Sequence, residues 1–220
     1  MTPFPIPSAI LFDLDGTLID TAPDLAFALN TLLKEEGKST LPYSRIRPVA
    51  SHGTHALIEL GFAITANDPD FPQLQRRFIS LYQTHLTRET RLFPGMHTVL
   101  DTLEKRALPF GVVTNKPTFL THPLLEQLSL DKRMACIVCG DTVAQSKPHP
   151  APLLHACHLI NQTPDNCIYI GDAQRDIEAG KNAGMHTAVA LYGYIADDEH
   201  PHLWQADTQI QMAQEILTWL

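Results

Sequence analysis

The sequence predicts an α/β fold: a Rossmann-like, doubly wound parallel sheet carrying a helical cap domain inserted after its first strand. Three observations predict it. Short, wholly apolar runs recur along the chain, and several end abruptly in polar residues. Helical patterns lie between most of them. One long stretch near the start is helical in pattern and breaks the alternation. Strands alternating with helices of this kind imply a parallel sheet covered on both faces.

Ala9-Ile10-Leu11-Phe12 is the first run and stops at Asp13. A continuous apolar run of this length fits a strand buried on both faces. Phe110-Gly111-Val112-Val113 ends at Thr114-Asn115, and Cys136-Ile137-Val138 follows. Cys167-Ile168-Tyr169-Ile170 ends at Gly171-Asp172, and Thr187 to Leu191 is the fifth run. Helical spacing places Val99, Leu100 and Leu103 on one face of Met96 to Lys105. It also appears in Thr118 to Leu128 and Ala151 to Ile160. Asp176 to Ala183 is a small, polar helix with Gly184 as its stop.

From about Thr21 to Arg91 the chain has helical stretches, Pro23 to Glu36 and Pro72 to Thr87, and no clear strand. Phe93-Pro94-Gly95 closes it with turn chemistry. The expected division is therefore a core of residues 1–20 and 92–220 and a cap of residues 21–91. An insert after the first strand would sit over the carboxyl end of the sheet, where open α/β folds bind ligands.

The 220 residues carry a formal net charge of -8. That balance argues against nucleic acid or an anionic membrane surface as partner, since both call for clustered Lys and Arg. No stretch approaches the roughly 18 to 20 apolar residues of a membrane span. Met1 to Ser8 has three prolines and no basic residue, unlike a secretory signal, so a cytoplasmic location is expected. Cys136 and Cys139 have CxxC spacing, but three residues apart on a strand they face opposite sides of the sheet. They read, with Cys157 and Cys167, as small buried hydrophobes. No heptad pattern specifies an assembly, leaving monomer or homodimer.

The polar clusters carry the chemistry. Asp13-Leu14-Asp15-Gly16-Thr17, Thr114-Asn115 and Gly171-Asp172 with Asp176 leave strand ends and converge on one edge, which the Lys147 loop can reach. Four carboxylates, Asp13, Asp15, Asp172 and Asp176, crowd together there and raise one another's pKa. A hard divalent cation relieves that conflict, and an all-oxygen ligand set points to Mg²⁺ rather than zinc. Beside such an ion Asp13 can attack phosphorus and Asp15 can move the proton of the leaving oxygen. Thr114 and Asn115 offer neutral donors for phosphoryl oxygens, and Lys147 offers positive charge. Gly16 and Thr17 belong to the same phosphate-binding turn. His52 and Arg45, in the helical insert, are the candidate substrate contacts; the remaining histidine pairs are what eleven histidines produce by chance.

At these residues the sequence resembles the haloacid dehalogenase superfamily. Asp-Leu-Asp-Gly-Thr, Thr-Asn-Lys-Pro, Ser-Lys-Pro-x-Pro and Gly-Asp-x-x-x-Asp all occur, in the family's order. The resemblance implies Asp13 as nucleophile, Asp15 as acid and base, and Mg²⁺ held by Asp13, the Asp15 carbonyl and Asp172, with Asp176 nearby. It also implies a cap that closes over small phosphorylated metabolites. Within the superfamily, Leu18 to Asp24, Gly111 to Pro117 and Tyr192-Gly193-Tyr194 resemble the phosphoglycolate phosphatases. Arg175 to Gly180, Tyr192 to Ile195 and Trp204-x-Ala206-Asp207 resemble the N-acetylmuramic acid 6-phosphate phosphatases most. Ala173 departs from the pattern, standing where many relatives have a second acid, and so does Ser51-His52-Gly53 in the cap loop. The rival classes are a phosphosugar mutase of the same fold and a non-catalytic binding protein. Product analysis separates the first, and the intact acid set argues against the second.

Overall fold

The computed structural model describes residues 6–220. Most of the N-terminal stretch read for a signal, residues 1–5, lies outside them. The elements, in chain order, are β1 (Ala9–Phe12), β2 (Ile19–Asp20), α1 (Ala22–Glu35), α2 (Tyr43–Ile46), α3 (Gly53–Phe62), α4 (Phe71–Gln83) and β3 (Arg91–Leu92). They continue with α5 (Met96–Lys105), β4 (Phe110–Val113), α6 (Thr118–Gln127), β5 (Cys136–Val138), α7 (Ala151–Leu159), β6 (Cys167–Gly171), α8 (Gln174–Asn182), β7 (His186–Ala190) and β8 (Thr208–Ile210).

The main sheet has six strands in the order β5-β4-β1-β6-β7-β8, and every pairing in it is parallel. Because successive side chains of a strand face opposite ways, each strand feeds two cores. Ile10, Phe12, Phe110, Val112, Ile168 and Ile170 enter one apolar cluster. Ala9, Leu11, Val113, Cys136, Cys167 and Tyr169 enter the other. The wholly apolar runs in the sequence are thus strands covered on both sides, the α/β arrangement expected.

β1 lies at the centre. The chain goes to one side of it for β4 and β5, then crosses over for β6 to β8. That reversal opens a crevice at the carboxyl ends of β1, β4 and β6, the place where open sheets take ligands.

The segment between β2 and β3 is helical and contains no strand. On α4, Phe71, Leu74, Phe78 and Tyr82 form a buried stripe at helical spacing. It packs on α1, whose Leu25, Leu29, Leu32 and Leu33 form the facing stripe. The insert's two ends are joined by an antiparallel ribbon, Ile19 opposite Leu92 and Asp20 opposite Arg91. Buried Asp24 reinforces this root by accepting from the N–H groups of Glu89 and Thr90 and from the Thr90 hydroxyl.

Three features go beyond the sequence reading. β8 adds a sixth strand, the two-residue ribbon was too short to register as a pattern, and α3 fills part of the insert. All four cysteines are buried and unbridged, as small hydrophobes. No described helix is long and apolar enough to cross a membrane.

Candidate active site

Asp13 is the first residue past β1. Its N–H still bonds the Ile170 carbonyl at 2.8 Å, so its backbone position is set by the sheet. The chain then turns sharply at Gly16, whose φ of 86° is left-handed. A side chain there would also collide with the Asp172 carboxylate. The turn therefore requires glycine for two independent reasons.

Asp172 follows β6 in the same way and is almost fully buried. Its Oδ2 accepts from the Tyr194 N–H at 2.9 Å and from the Ser51 hydroxyl at 2.8 Å, and its Oδ1 accepts from the Thr17 hydroxyl at 3.2 Å. Asp176, in the first turn of α8, accepts from the Ala173 N–H through Oδ2 at 3.1 Å. Its Oδ1 points the other way, to Lys147 Nζ at 2.7 Å.

Lys147 Nζ is the centre of positive charge. Besides Asp176 it donates to Asp13 Oδ1 at 2.8 Å, the Val113 carbonyl at 2.9 Å and the Tyr169 hydroxyl at 2.7 Å. The loop that carries it is clasped by Asn115. The Asn115 amide donates to the Lys147 carbonyl and accepts from the Lys147 N–H, both at 3.0 Å.

The charges do not balance. Asp13, Asp172 and Asp176 each present an oxygen within 4.8 Å of the others, and all three are buried. Lys147 in contact and Arg175 at a distance are two positive charges against three acids. Burial pushes Asp13 up to about 6, with the neighbouring Asp176 adding to the rise and Lys147 opposing it. Burial pushes Asp172 up to about 7, and the charges of Asp13 and Asp176 add to it. Burial works against charge on Lys147 too, but Asp13 and Asp176 outweigh it and leave the ammonium raised. A pocket of buried carboxylate oxygens with surplus negative charge fits a hard divalent cation.

Asp15 stands apart from this trio. Its Oδ1 accepts from the Thr21 hydroxyl at 2.5 Å and from Lys116 Nζ at 2.8 Å. Lys116 in turn reaches the hydroxyl of Tyr82, on α4 of the insert, at 2.9 Å. Asp13 and Asp15 both line a cavity of about 520 Å³ between core and insert. Thr114, Asn115, Lys116, Lys147, Ser51, His52, Tyr82 and Arg175 line it with them.

The candidates fall into three groups. Asp13, Asp15, Thr114, Asn115, Lys147 and His52 share the cavity wall. Gly16, Thr17, Asp172 and Asp176 are packed beneath it; Thr17 is fully buried and orients Asp172. Arg45 is exposed on α2 and does not line the cavity. Sequence reasoning passed over Ser51, Lys116, Tyr82, Tyr169 and Arg175 as site residues. Lys116 and Arg175 lie inside motifs that mark resemblance, which was the available signal. Tyr82 and Tyr169 read only as apolar positions of a helix and a strand.

An aspartate held by a lysine, beside two further acids and with a second aspartate on the same cavity wall, suits attack on a phosphoryl group. Comparison with known proteins agrees. The family described as Haloacid dehalogenase-like hydrolase matches residues 10–190. A phosphoglycolate phosphatase of Xanthomonas campestris is 39% identical over 213 residues, covering 96% of this chain and 95% of its own. An N-acetylmuramic acid 6-phosphate phosphatase of Pseudomonas putida is 40% identical over 208 residues, 94% of this chain and 93% of its own. A crystal structure from Haemophilus somnus, described as a predicted phosphoglycolate phosphatase, superposes with a TM-score of 0.86 at 28% identity, covering 99% of this chain and 98% of its own.

Proposed function

The chain belongs to the haloacid dehalogenase-like hydrolase family and is a phosphatase, and from that premise we propose that it hydrolyses a small phosphate monoester through an aspartyl-phosphate on Asp13. The observation that carries this is the Asp13–Lys147–Asp176 chain, set at a cavity that also holds Asp15.

Lys147 holds Asp13 Oδ1, leaving Oδ2 to attack phosphorus. The new bond is Asp13 oxygen to phosphorus, and the bond that breaks joins phosphorus to the substrate alcohol. Asp15 gives its proton to that alcohol oxygen. Its Oδ1 is engaged by Thr21 and Lys116, so Oδ2 is the oxygen open to exchange the proton. In the second half Asp15 takes a proton from water, which attacks phosphorus, releases inorganic phosphate and restores Asp13. The Thr114 hydroxyl accepts from the Lys116 N–H, so its own proton is left for a phosphoryl oxygen. Asn115 supports the same end indirectly, by holding the Lys147 loop.

Asp13, Asp172, the Asp15 carbonyl and, beside them, Asp176 would hold Mg²⁺, in keeping with the buried acid cluster. When bound, the ion would neutralise phosphoryl oxygens so that an anionic nucleophile can approach. The helical insert acts as the cap over the substrate. Ser51 brings it to the acids, its hydroxyl 2.8 Å from Asp172 Oδ2 and 3.4 Å from the Asp15 carbonyl.

The substrate is a small phosphorylated acid, 2-phosphoglycolate or a sugar phosphate such as N-acetylmuramic acid 6-phosphate, the compounds named for the relatives. The cavity favours the sugar. Its volume lies in the range of pockets for drug-sized ligands. Leu25, Ile79 and exposed Phe119 give it an apolar wall that a two-carbon ester would not use.

The test is phosphate release with and without Mg²⁺. Asp13→Asn should abolish it in a folded protein. Turnover by Asp13→Asn at the parent rate would overturn the mechanism. A panel of both named esters and common hexose phosphates, ranked by kcat/KM, identifies the substrate.

A further inference from the structure

Five acidic or basic side chains of Asp, Lys and Arg line the cavity among the described residues: Asp13, Asp15, Lys116, Lys147 and Arg175. Four of them are paired. Lys147 touches Asp13 and Asp176, and Lys116 touches Asp15. Arg175 forms no ion pair with any described carboxylate.

Arg175 is the second residue of α8, next to Asp176, and is half-buried. Its hydrogen bonds go to neutral acceptors on the insert. Nη2 donates to the Ser51 carbonyl at 2.6 Å, and Nη1 lies 3.4 Å from His52 Nδ1. Asp176, Asp13 and Asp172 act on it through space without touching it. A guanidinium has five N–H donors in a rigid fork, so two contacts leave others free. The fork is thus fixed at the wall between the nucleophile and the insert, with no described carboxylate in contact with it.

The proposed reaction puts phosphorus at Asp13, so the alcohol portion of the ester extends from there toward the insert. Both acids named above share one feature on that portion: a carboxylate. It is the glycolate carboxylate in one and the lactyl carboxylate in the other. A planar carboxylate matches the guanidinium fork in geometry and charge. We infer that Arg175 is the specificity residue of this site, binding the carboxylate on the leaving alcohol and selecting phosphorylated acids over neutral phosphate esters.

The inference rests on the phosphatase reading, and matched ester pairs separate the two. N-Acetylmuramic acid 6-phosphate is compared with N-acetylglucosamine 6-phosphate, which lacks only the lactyl group. 2-Phosphoglycolate is compared with 2-hydroxyethyl phosphate. The parent enzyme should prefer the acid in at least one pair. Arg175→Gln should lower kcat/KM for that acid by on the order of 30-fold more than for its neutral partner, the range for losing a charged contact, so that the preference collapses. Arg175→Lys, which keeps the charge, should retain a substantial part of the preference.

A parallel loss on acid and neutral ester would make Arg175 a cap fastener or phosphate ligand and overturn the inference. So would a preference left intact in Arg175→Gln, or no preference in the parent enzyme. Failure of the parent to release phosphate from any of the four esters would overturn the proposed function, and the inference with it.

Discussion

Replacing Lys147 with methionine keeps the aliphatic stem and removes the charge. The ammonium is fully buried and touches two carboxylates, a carbonyl and a phenol. Deleting one partner of a buried ion pair costs about 3–5 kcal/mol, because the remaining charge stays buried without compensation. The variant should lose about that much stability at about pH 8 without added metal. The loss should shrink on acidification. Asp13 is already raised to about 6 with Lys147 present. Without Lys147, which lowers it, it moves higher still. An acid whose folded pKa exceeds its unfolded value contributes stability that is fully present below the unfolded pKa and is lost as pH rises through the folded one. At about pH 5 the variant's Asp13 is therefore neutral and the deficit shrinks to what the lost Asp176 contact costs; it grows as pH rises toward about 8. Urea unfolding of parent and variant across this range measures it. Phosphate release should fall on the order of 10²–10³-fold, as when an electrostatic stabiliser is removed. A deficit below about 1 kcal/mol at the upper pH would refute the reasoning. A deficit independent of pH would refute it equally.

Two further outcomes are expected. Burial and mutual repulsion raise Asp172 to about 7 and Asp13 to about 6, so without metal their contribution to stability is full below about 4 and is lost as pH rises through those values. Mg²⁺ bound as proposed would have to displace their protons at low pH, so the rise in Tm on adding it should grow between about pH 5.5 and 8. A shift constant over that range counts against Asp172 and Asp13 as its ligands. Asp24→Ala should cost about 2–4 kcal/mol by leaving the buried donors of Glu89 and Thr90 unmatched, although Asp24 does not line the cavity. Retained stability in thermal melts would show that the root of the insert is held by the ribbon alone.

Much of the core was legible because its cause is local. A strand covered on both faces must be apolar throughout, so Ala9 to Phe12 and Cys167 to Ile170 announce themselves. Polar residues at once after such a run can only lie at the sheet edge, which is why Asp13, Thr114 and Asp172 could be listed together. Short elements held by distant partners were not legible. Ile19–Asp20 and Arg91–Leu92 form strands only because each pairs with the other across the whole insert. β8 is three residues, with one fully buried, and joins the sheet by pairing with β7.

The opening motif shows the same division. From the sequence alone, Asp13 and Asp15 are two acids on one tight turn at a strand end, with an acidic cluster gathered near them. Sequence order also carried the family resemblance. The tertiary structure decided their different environments. Asp13 shares Lys147 with Asp176, while Asp15 is held by Lys116, which is tied to Tyr82 on the insert. It also turned Thr17 and Asn115 into supports for Asp172 and the Lys147 loop, and left Arg175 unpaired at the cavity wall. The physical reason is range. Burial pattern and turn chemistry act over a few residues, whereas charge pairing depends on distances between residues that the chain order separates by a hundred positions or more.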